Sequence, residues 1–168
     1  MKIKIEILNK QHNKSDFDCE NESLNRYIKK QASQDFKRKL SVCYVLIDEN
    51  NKIIGYYTLS SISILHKDLP ENLAKKLPQS YRDIPATLLG RLAVDKNYKG
   101  KGLGKLLLID ALKKSFEQSK KIASLAVIVD PIDDNAVHFY KKYGFILLDS
   151  NKMFMPMKTI LKLFANEN

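Results

Sequence analysis

Glycine stands at three alternate positions in Lys99-Gly100-Lys101-Gly102-Leu103-Gly104-Lys105, a few residues after an apolar run and directly before a helical repeat. No other feature restricts the fold as much. Residues 87–95 are apolar apart from Arg91 and fit a central strand, while residues 102–121 carry Leu103, Leu106, Leu107, Ala111, Leu112 and Phe116 on one helical face. Strand, glycine turn and helix therefore succeed one another. Glycine backbone reaches unusual dihedrals and lets a ligand approach without a Cβ in the way. The unpaired amides and positive dipole end of the helix then face an anion. A pyrophosphate suits that geometry; a merely tight turn is the alternative, because the motif is neither G-x-G-x-x-G nor a P-loop ending in Gly-Lys-Ser/Thr. Lys99, Lys101 and Lys105 add charge as flexible point cations rather than geometric clamps.

The rest of the chain alternates strands and helices around this unit. Ile3, Ile5 and Ile7 alternate with Lys2, Lys4 and Glu6 as in a half-buried strand. Leu24, Ile28, Ala32 and Phe36 recur at helical spacing over residues 22–39, with Asn21 placed to cap the first turn. Two β-branched and aromatic runs, 42–48 and 52–65, flank the polar cluster Asp48-Glu49-Asn50-Asn51 and read as a hairpin. Pro70 and Pro78 bracket Leu73 and Leu77 in an excursion over 66–82, outside the main sheet and on the substrate side. A strand at 123–129, a helix at 133–143, a closing strand pair at 144–149 and 153–157, and an amphipathic stretch at 158–164 with a polar tail complete the reading. The fold class is mixed α/β (α+β), and a chain of 168 residues forms a single domain over 1–168.

Composition limits the partners. Cys19 and Cys43 are far apart without metal-type spacing and read as reduced structural residues, and no metal site is expected. No run approaches the roughly 18 apolar residues of a membrane span, and the amino terminus lacks a signal-peptide block, so a soluble cytoplasmic protein without membrane contact is expected. The formal net charge of +10 suits a polyanion or a phosphate-rich cofactor; a lysine-rich surface kept soluble by repulsion fits it equally well.

The segment Leu88-Leu89-Gly90-Arg91-Leu92-Ala93-Val94-Asp95 before the turn and Asp134-Asn135-Ala136-Val137-His138-Phe139-Tyr140-Lys141-Lys142-Tyr143-Gly144-Phe145 after it together resemble the GNAT acetyltransferase superfamily. The resemblance spans residues 40–157. It implies the GNAT fold, a mixed and mostly antiparallel central sheet flanked by helices on both faces, with acetyl-CoA as cofactor. By that likeness the backbone of Leu92, Ala93 and Val94 would hold the pantetheine arm, and Lys99, Gly100, Lys101, Gly102, Leu103, Gly104 and Lys105 the pyrophosphate. Asn135 and Tyr140 would lie near the thioester. The family's turn usually begins with Arg or Gln where this chain has Lys99, which weakens a side-chain role there and keeps the amides.

Acyl transfer from a thioester needs a neutral amine, oxyanion stabilisation and a proton for the departing thiolate. Tyr140 is the candidate acid, and a backbone N–H of residues 92–94 the oxyanion donor. A core tyrosine is the alternative for Tyr140, although Phe139 and the Tyr143-Gly144-Phe145 corner supply packing without it. No carboxylate stands out as a base, since Asp95, Asp130, Asp133 and Asp134 sit at element ends where capping is common. A lysine acceptor, with a reference pKa of about 10.4, is mostly charged at neutral pH, whereas an α-amine near ~7.7–8.0 is substantially neutral and needs less help.

Within the superfamily the chain is most similar to the toxins of bacterial toxin–antitoxin pairs that acetylate the α-amine of aminoacyl-tRNA. The likeness lies in Phe17-Asp18-Cys19, Leu24-Asn25-Arg26-Tyr27-Ile28, Gly55-Tyr56-Tyr57-Thr58-Leu59-Ser60, Ile84-Pro85-Ala86, residues 89–95 and Met155-Pro156-Met157. Glu20 departs from the usual Gly, and Asn25 from the usual Asp. This resemblance implies a translation-blocking enzyme, an antitoxin of ribbon-helix-helix type, a homodimer, and a basic face that contacts tRNA phosphates through Arg91, Lys29, Lys37 and Arg38. Arg91, inside an apolar strand, is expected to meet a phosphate or a buried carboxylate. For Lys37 and Arg38 ordinary helix-end charge complementarity is an equal alternative. Other readings are a GNAT enzyme for a small-molecule amine or a protein amino terminus, and a catalytically silent regulator working with a DNA-binding antitoxin.

Overall fold

The computed structural model of the chain describes residues 1–165, so the polar tail expected at 166–168 lies outside the described residues. Seven strands are hydrogen-bonded in the order β1-β2-β3-β4-β5-β7-β6: β1 (Lys4–Ile7), β2 (Val42–Ile47), β3 (Ile53–Leu65), β4 (Asp83–Val94), β5 (Ala126–Val129), β6 (Ile146–Leu147) and β7 (Met153–Pro156). The pairs β1–β2, β2–β3, β5–β7 and β6–β7 are antiparallel and β4–β5 is parallel, a mixed and mostly antiparallel sheet. The helices are α1 (Glu22–Arg26), α2 (Ala32–Lys37), α3 (Glu71–Ala74), α4 (Leu103–Ser119), α5 (Asp134–Lys142) and α6 (Met157–Ala165). The chain divides into two compact units, Met1–Ser60 with Gly90–Ala111, and Ser61–Leu89 with Leu112–Asn168.

In the first unit, Asn21 caps α1 as the sequence predicts, its Oδ1 accepting the Leu24 N–H at 3.0 Å. The expected single helix over 22–39 is instead interrupted by a π-helical turn, Tyr27–Gln31. Asp35, seven residues after Ile28 and three after Ala32, shares the face of those buried residues and is itself buried, while Phe36, predicted on the core face, is 36% exposed. Lys39 ends the helical stretch in the left-handed region at φ 62°. Across the β2–β3 hairpin, Asp48 Oδ1 accepts the amides of Asn50 at 2.9 Å and Lys52 at 3.0 Å, which fixes the turn. The core collects Phe17, Tyr27, Ile28, Val45, Ile53, Tyr56 and Ala93. Helix α4 approaches β3 so closely at Gly55 that a Cβ there would lie 3.0 Å from Leu107 Cδ1 and 3.1 Å from the Ala93 carbonyl.

In the second unit, β4 begins at Asp83, four residues before the run predicted from 87. Leu65, Leu69, Leu73 and Leu77 obscure this start in the sequence, because the excursion between β3 and β4 carries its own apolar contacts. Leu69 joins Ile64, Ile84, Ala86, Ala126, Ile128 and Phe154 in one cluster, with Leu73 and Leu77 packed on it. Cys19 and Cys43 are free and buried. Among the described residues no helix is long and apolar enough to cross a membrane, and no group of three or more His, Cys, Asp or Glu could hold a metal ion.

Candidate active site

The β4–β5 ladder ends at the pair Leu89–Val129, yet β4 continues through Gly90, Arg91, Leu92, Ala93 and Val94. On that edge the backbone of residues 90–94 has no strand partner among the described residues, and its N–H and C=O groups are free to bond an extended ligand. The strand end is held firmly. Asp95 is 1% exposed, and its carboxylate accepts the Asp18 N–H at 3.0 Å and the Asn97 N–H at 2.9 Å. Its own amide donates to the Ile54 carbonyl at 2.9 Å, and the Lys96 amide donates to the Asp18 carbonyl at 2.8 Å. Asp18 in turn accepts the Glu20 amide at 2.9 Å and the Asn25 side-chain amide at 3.0 Å. Those two bonds, with Lys96 at 3.1 Å, hold its carboxyl down at about 2.

Gly100 and Gly102 adopt φ +78° and +77°, and a Cβ built on either meets nothing within 4 Å. Backbone conformation, not crowding, requires glycine there. Gly104 departs from the expected three-glycine turn: it lies within the first turn of α4. The Leu106 amide bonds the Gly102 carbonyl at 3.1 Å, which leaves those of Leu103, Gly104 and Lys105 as the orphan donors of the helix start. The three lysines differ. Lys99 Nζ donates to the Cys19 carbonyl at 3.2 Å and meets Glu20 Oε1 at 3.4 Å. Lys101 Nζ lies 5.4 Å from the Tyr98 ring centroid, and Lys105 is exposed. An ammonium turned toward the 19–20 loop explains how Lys stands where Arg or Gln is usual: it braces the turn.

Arg91 meets no carboxylate directly among the described residues of the first unit. Its guanidinium carbon lies 3.5 Å over the Tyr27 ring centroid, a close cation–π stack. The Tyr27 hydroxyl donates to Asp35 Oδ2 at 2.9 Å, and burial raises that hydroxyl to about 12. The carboxylate is therefore reached through a tyrosine. A guanidinium covered on one face keeps its in-plane N–H donors available for a phosphate. Lys29 is half-buried, and Lys37 and Arg38 are exposed. Lys29 lines a cavity of about 430 Å³ with Arg26, Lys30, Asp16, Asp18 and Glu22, so positive and negative groups alternate around it.

In the second unit, Asp133 caps α5 by accepting the Ala136 amide at 2.8 Å. Asn135 is exposed in the first turn of that helix, and His138 is exposed as well. Tyr140 is 7% exposed, its ring 5.3 Å from Phe139 and 5.2 Å from Phe145. Burial raises its hydroxyl well above the ordinary 10, so the phenol keeps its proton at neutral pH. That is the protonation state of a donor. The Asp95–Asp18–Asn25 cluster and the Tyr27 stack escaped sequence reasoning, although Asp18, Asn25 and Tyr27 all stand in the strings that carry the resemblance.

Residues 5–145 match the Acetyltransferase (GNAT) family. A tRNA-acetylating toxin of Mycobacterium tuberculosis is 33% identical over 123 residues, 73% of this chain and 72% of that protein. KacT, solved as a tyrosine-to-phenylalanine mutant, is similar at a TM-score of 0.92 and 31% identity, covering 98% of this chain and 100% of that one. AtaT complexed with acetyl-methionyl-tRNAfMet is similar at a TM-score of 0.90 and 31% identity, covering 97% and 99%. AtaT was also solved on the C-terminus of the antitoxin AtaR, with a TM-score of 0.81, 29% identity and coverage of 96% and 98%. AtaTR bound with AcCoA gives 0.85, 31%, and 96% and 98%.

Proposed function

Since the chain belongs to the acetyltransferase (GNAT) family, we propose that it transfers acetyl from acetyl-CoA to the α-amine of the amino acid on an aminoacyl-tRNA. This stops translation as the toxin of a toxin–antitoxin pair. The likeness to the tRNA-acetylating toxin and to AtaT supports the acceptor. The observation that carries the reading is β4 running past its ladder with β5 towards a turn in which Gly100 and Gly102 take positive φ with open space beside them. The residues present fit acetyl-CoA: an extended backbone edge matches the pantetheine amides, and the orphan amides of Leu103, Gly104 and Lys105 match a pyrophosphate.

When bound, acetyl-CoA supplies an activated thioester. A backbone N–H of residues 92–94 would hold the developing oxyanion, and by the family likeness Asn135 would serve at the thioester end. Tyr140, a phenol protonated at neutral pH and held further from ionisation by burial, would donate to the departing sulfur. An α-amine near ~7.7–8.0 is partly neutral at physiological pH, so no carboxylate base is required. Arg91, Lys29, Lys37 and Arg38 contact tRNA phosphates, Lys101 and Lys105 neutralise the pyrophosphate, and Lys99 steadies the turn. Residues 1–168 act as one catalytic domain, working in the cytoplasm as a homodimer and neutralised by a ribbon-helix-helix antitoxin. The antitoxin-bound structures of AtaT support the last point in its general form. The test is mass spectrometry of total aminoacyl-tRNA incubated with the protein and acetyl-CoA. N-acetyl-aminoacyl-tRNA is expected; its absence alongside turnover of small amines would falsify the assignment.

A further inference from the structure

The excursion between β3 and β4 has no part in the chemistry above, yet it is a built structure. His66 is buried and pins it together: Nε2 lies 2.7 Å from the Ala74 carbonyl on α3 and Nδ1 3.1 Å from the Tyr81 carbonyl, while its amide donates to the Arg82 carbonyl at 2.9 Å. Leu69, 6% exposed, roots the loop in the apolar cluster of the second unit. These ties hold open a cavity of about 540 Å³ with Leu65 and Leu69 in its lining, a size usual for sites that take small ligands.

The lining is chemically one-sided. Lys67, Lys75 and Arg82 are exposed cations, and none is paired with a carboxylate among the described residues. Glu71 is the one carboxylate against these three cations. Tyr81 presents its ring to solvent at 56% exposure beside them. An exposed aromatic face, an apolar floor and unpaired cations within one recess are the elements that bind unstacked nucleotides, the ring taking a base and the cations the flanking phosphates. By contrast, the cavity beside Lys29 sets Asp16, Asp18 and Glu22 against Arg26, Lys29 and Lys30, so its lining carries no net charge.

We propose that the recess of residues 65–82 is a second RNA-binding site, in which Tyr81 stacks an unpaired base of the tRNA and Lys67, Lys75 and Arg82 bind its phosphates. This rests on tRNA being the substrate, and it adds an anchor that sets which RNA is taken and how tightly, apart from the acetyl-transfer chemistry.

The experiment measures the dissociation constant of the full chain for uncharged tRNA against salt. The variants are Tyr81→Ala, Tyr81→Phe and the triple exchange Lys67→Gln, Lys75→Gln, Arg82→Gln; all four positions are exposed, and thermal unfolding checks the fold. Tyr81→Ala is expected to weaken binding about 5- to 150-fold, the fold-change equivalent to a stacking loss of about 1–3 kcal/mol, and Tyr81→Phe to restore it. The triple variant should lower the slope of log affinity on log salt by roughly 2, from three single-strand phosphate contacts at about 0.7 each. The KM for acetyl-CoA should not move. Unchanged tRNA binding in both variants overturns the proposal. So does loss of binding to a polyglutamate peptide while tRNA binding persists, which would mark a protein-docking surface. Acetylation is scored separately: wild-type protein that binds tRNA through this recess but acetylates none refutes the enzymatic assignment and upholds the site.

Discussion

Asp95→Asn tests the claim that a buried carboxylate organises the cofactor turn. The side chain is 1% exposed and accepts two main-chain amides, from Asp18 at 3.0 Å and Asn97 at 2.9 Å. Each bond to an ionised acceptor is worth about 1.5–3 kcal/mol. Asparagine preserves shape but offers one acceptor; its NH₂ group must face the other amide, donor against donor, leaving a buried N–H unsatisfied at a cost of about 1–3 kcal/mol. With one neutral bond of about 1 kcal/mol retained, the net loss is at least about 3 kcal/mol. For a chain of this length that lowers Tm by roughly 6–12 °C. The second effect is local: freeing the 16–20 loop from the strand end unfixes the turn, so acetyl-CoA binds more weakly. Circular-dichroism melting and a calorimetric titration of acetyl-CoA read the two effects on one protein sample. A melting point within about 2 °C of wild type, with unchanged acetyl-CoA affinity, shows that the turn holds itself and that the Asp95 bonds are incidental.

Three further outcomes are expected from the same geometry. Tyr140→Phe removes only a hydroxyl from a ring already packed on Phe139 and Phe145, so calorimetric binding of acetyl-CoA is expected to persist while kcat falls about 10²–10⁴-fold; wild-type turnover removes Tyr140 from the mechanism. Glu20 sits at φ 67°, a strain of about 1–2 kcal/mol for a residue with a Cβ. Glu20→Gly relieves it, less about 0.5–1 kcal/mol of chain entropy, and urea denaturation should show a small gain; a loss above about 1 kcal/mol contradicts the reading. Asp18 titrates at about 2 when folded and near 3.8 otherwise, so between those values the unfolded chain binds more protons. Its contribution is complete above about 3.8 and disappears as pH falls through about 2. Asp18→Asn should flatten the stability profile in that window, and an identical acid profile would refute the role given to its carboxylate.

How much of the site is legible in the sequence depends on how far apart its interacting atoms stand in the chain. The turn is legible because it is local: glycine at 100 and 102 is demanded by dihedrals within the same few residues, and the strand before it and the helix after it each declare themselves by period. The caps at Asn21 and Asp133 are legible for the same reason, since each side chain bonds an amide three residues on. The Asp95 bond to Asp18 spans 77 positions and ends on a backbone amide that no residue type reveals. The π-helical turn is hidden differently. Regular helical spacing runs from Leu24, Ile28 and Ala32 to both Asp35 and Phe36, and no residue type in 27–31 announces the wider turn; the apolar Phe36 is read as core and the acidic Asp35 passed over, although Asp35 is the buried one.

Arg91 shows what such a gap costs an inference about function. A cation inside an apolar strand invites a search for an anion, and nothing in the sequence ties Arg91 to Asp35, 56 positions away. In the structure Tyr27, at the start of the π-helical turn, lies under the guanidinium and its hydroxyl donates to Asp35. The stack offsets much of the arginine's desolvation without a carboxylate in direct contact. A guanidinium neutralised by its own carboxylate would have little left for RNA. One supported by an aromatic face keeps its full charge and its in-plane donors, so support by Tyr27 in place of a directly bonded carboxylate favours Arg91 as a phosphate contact.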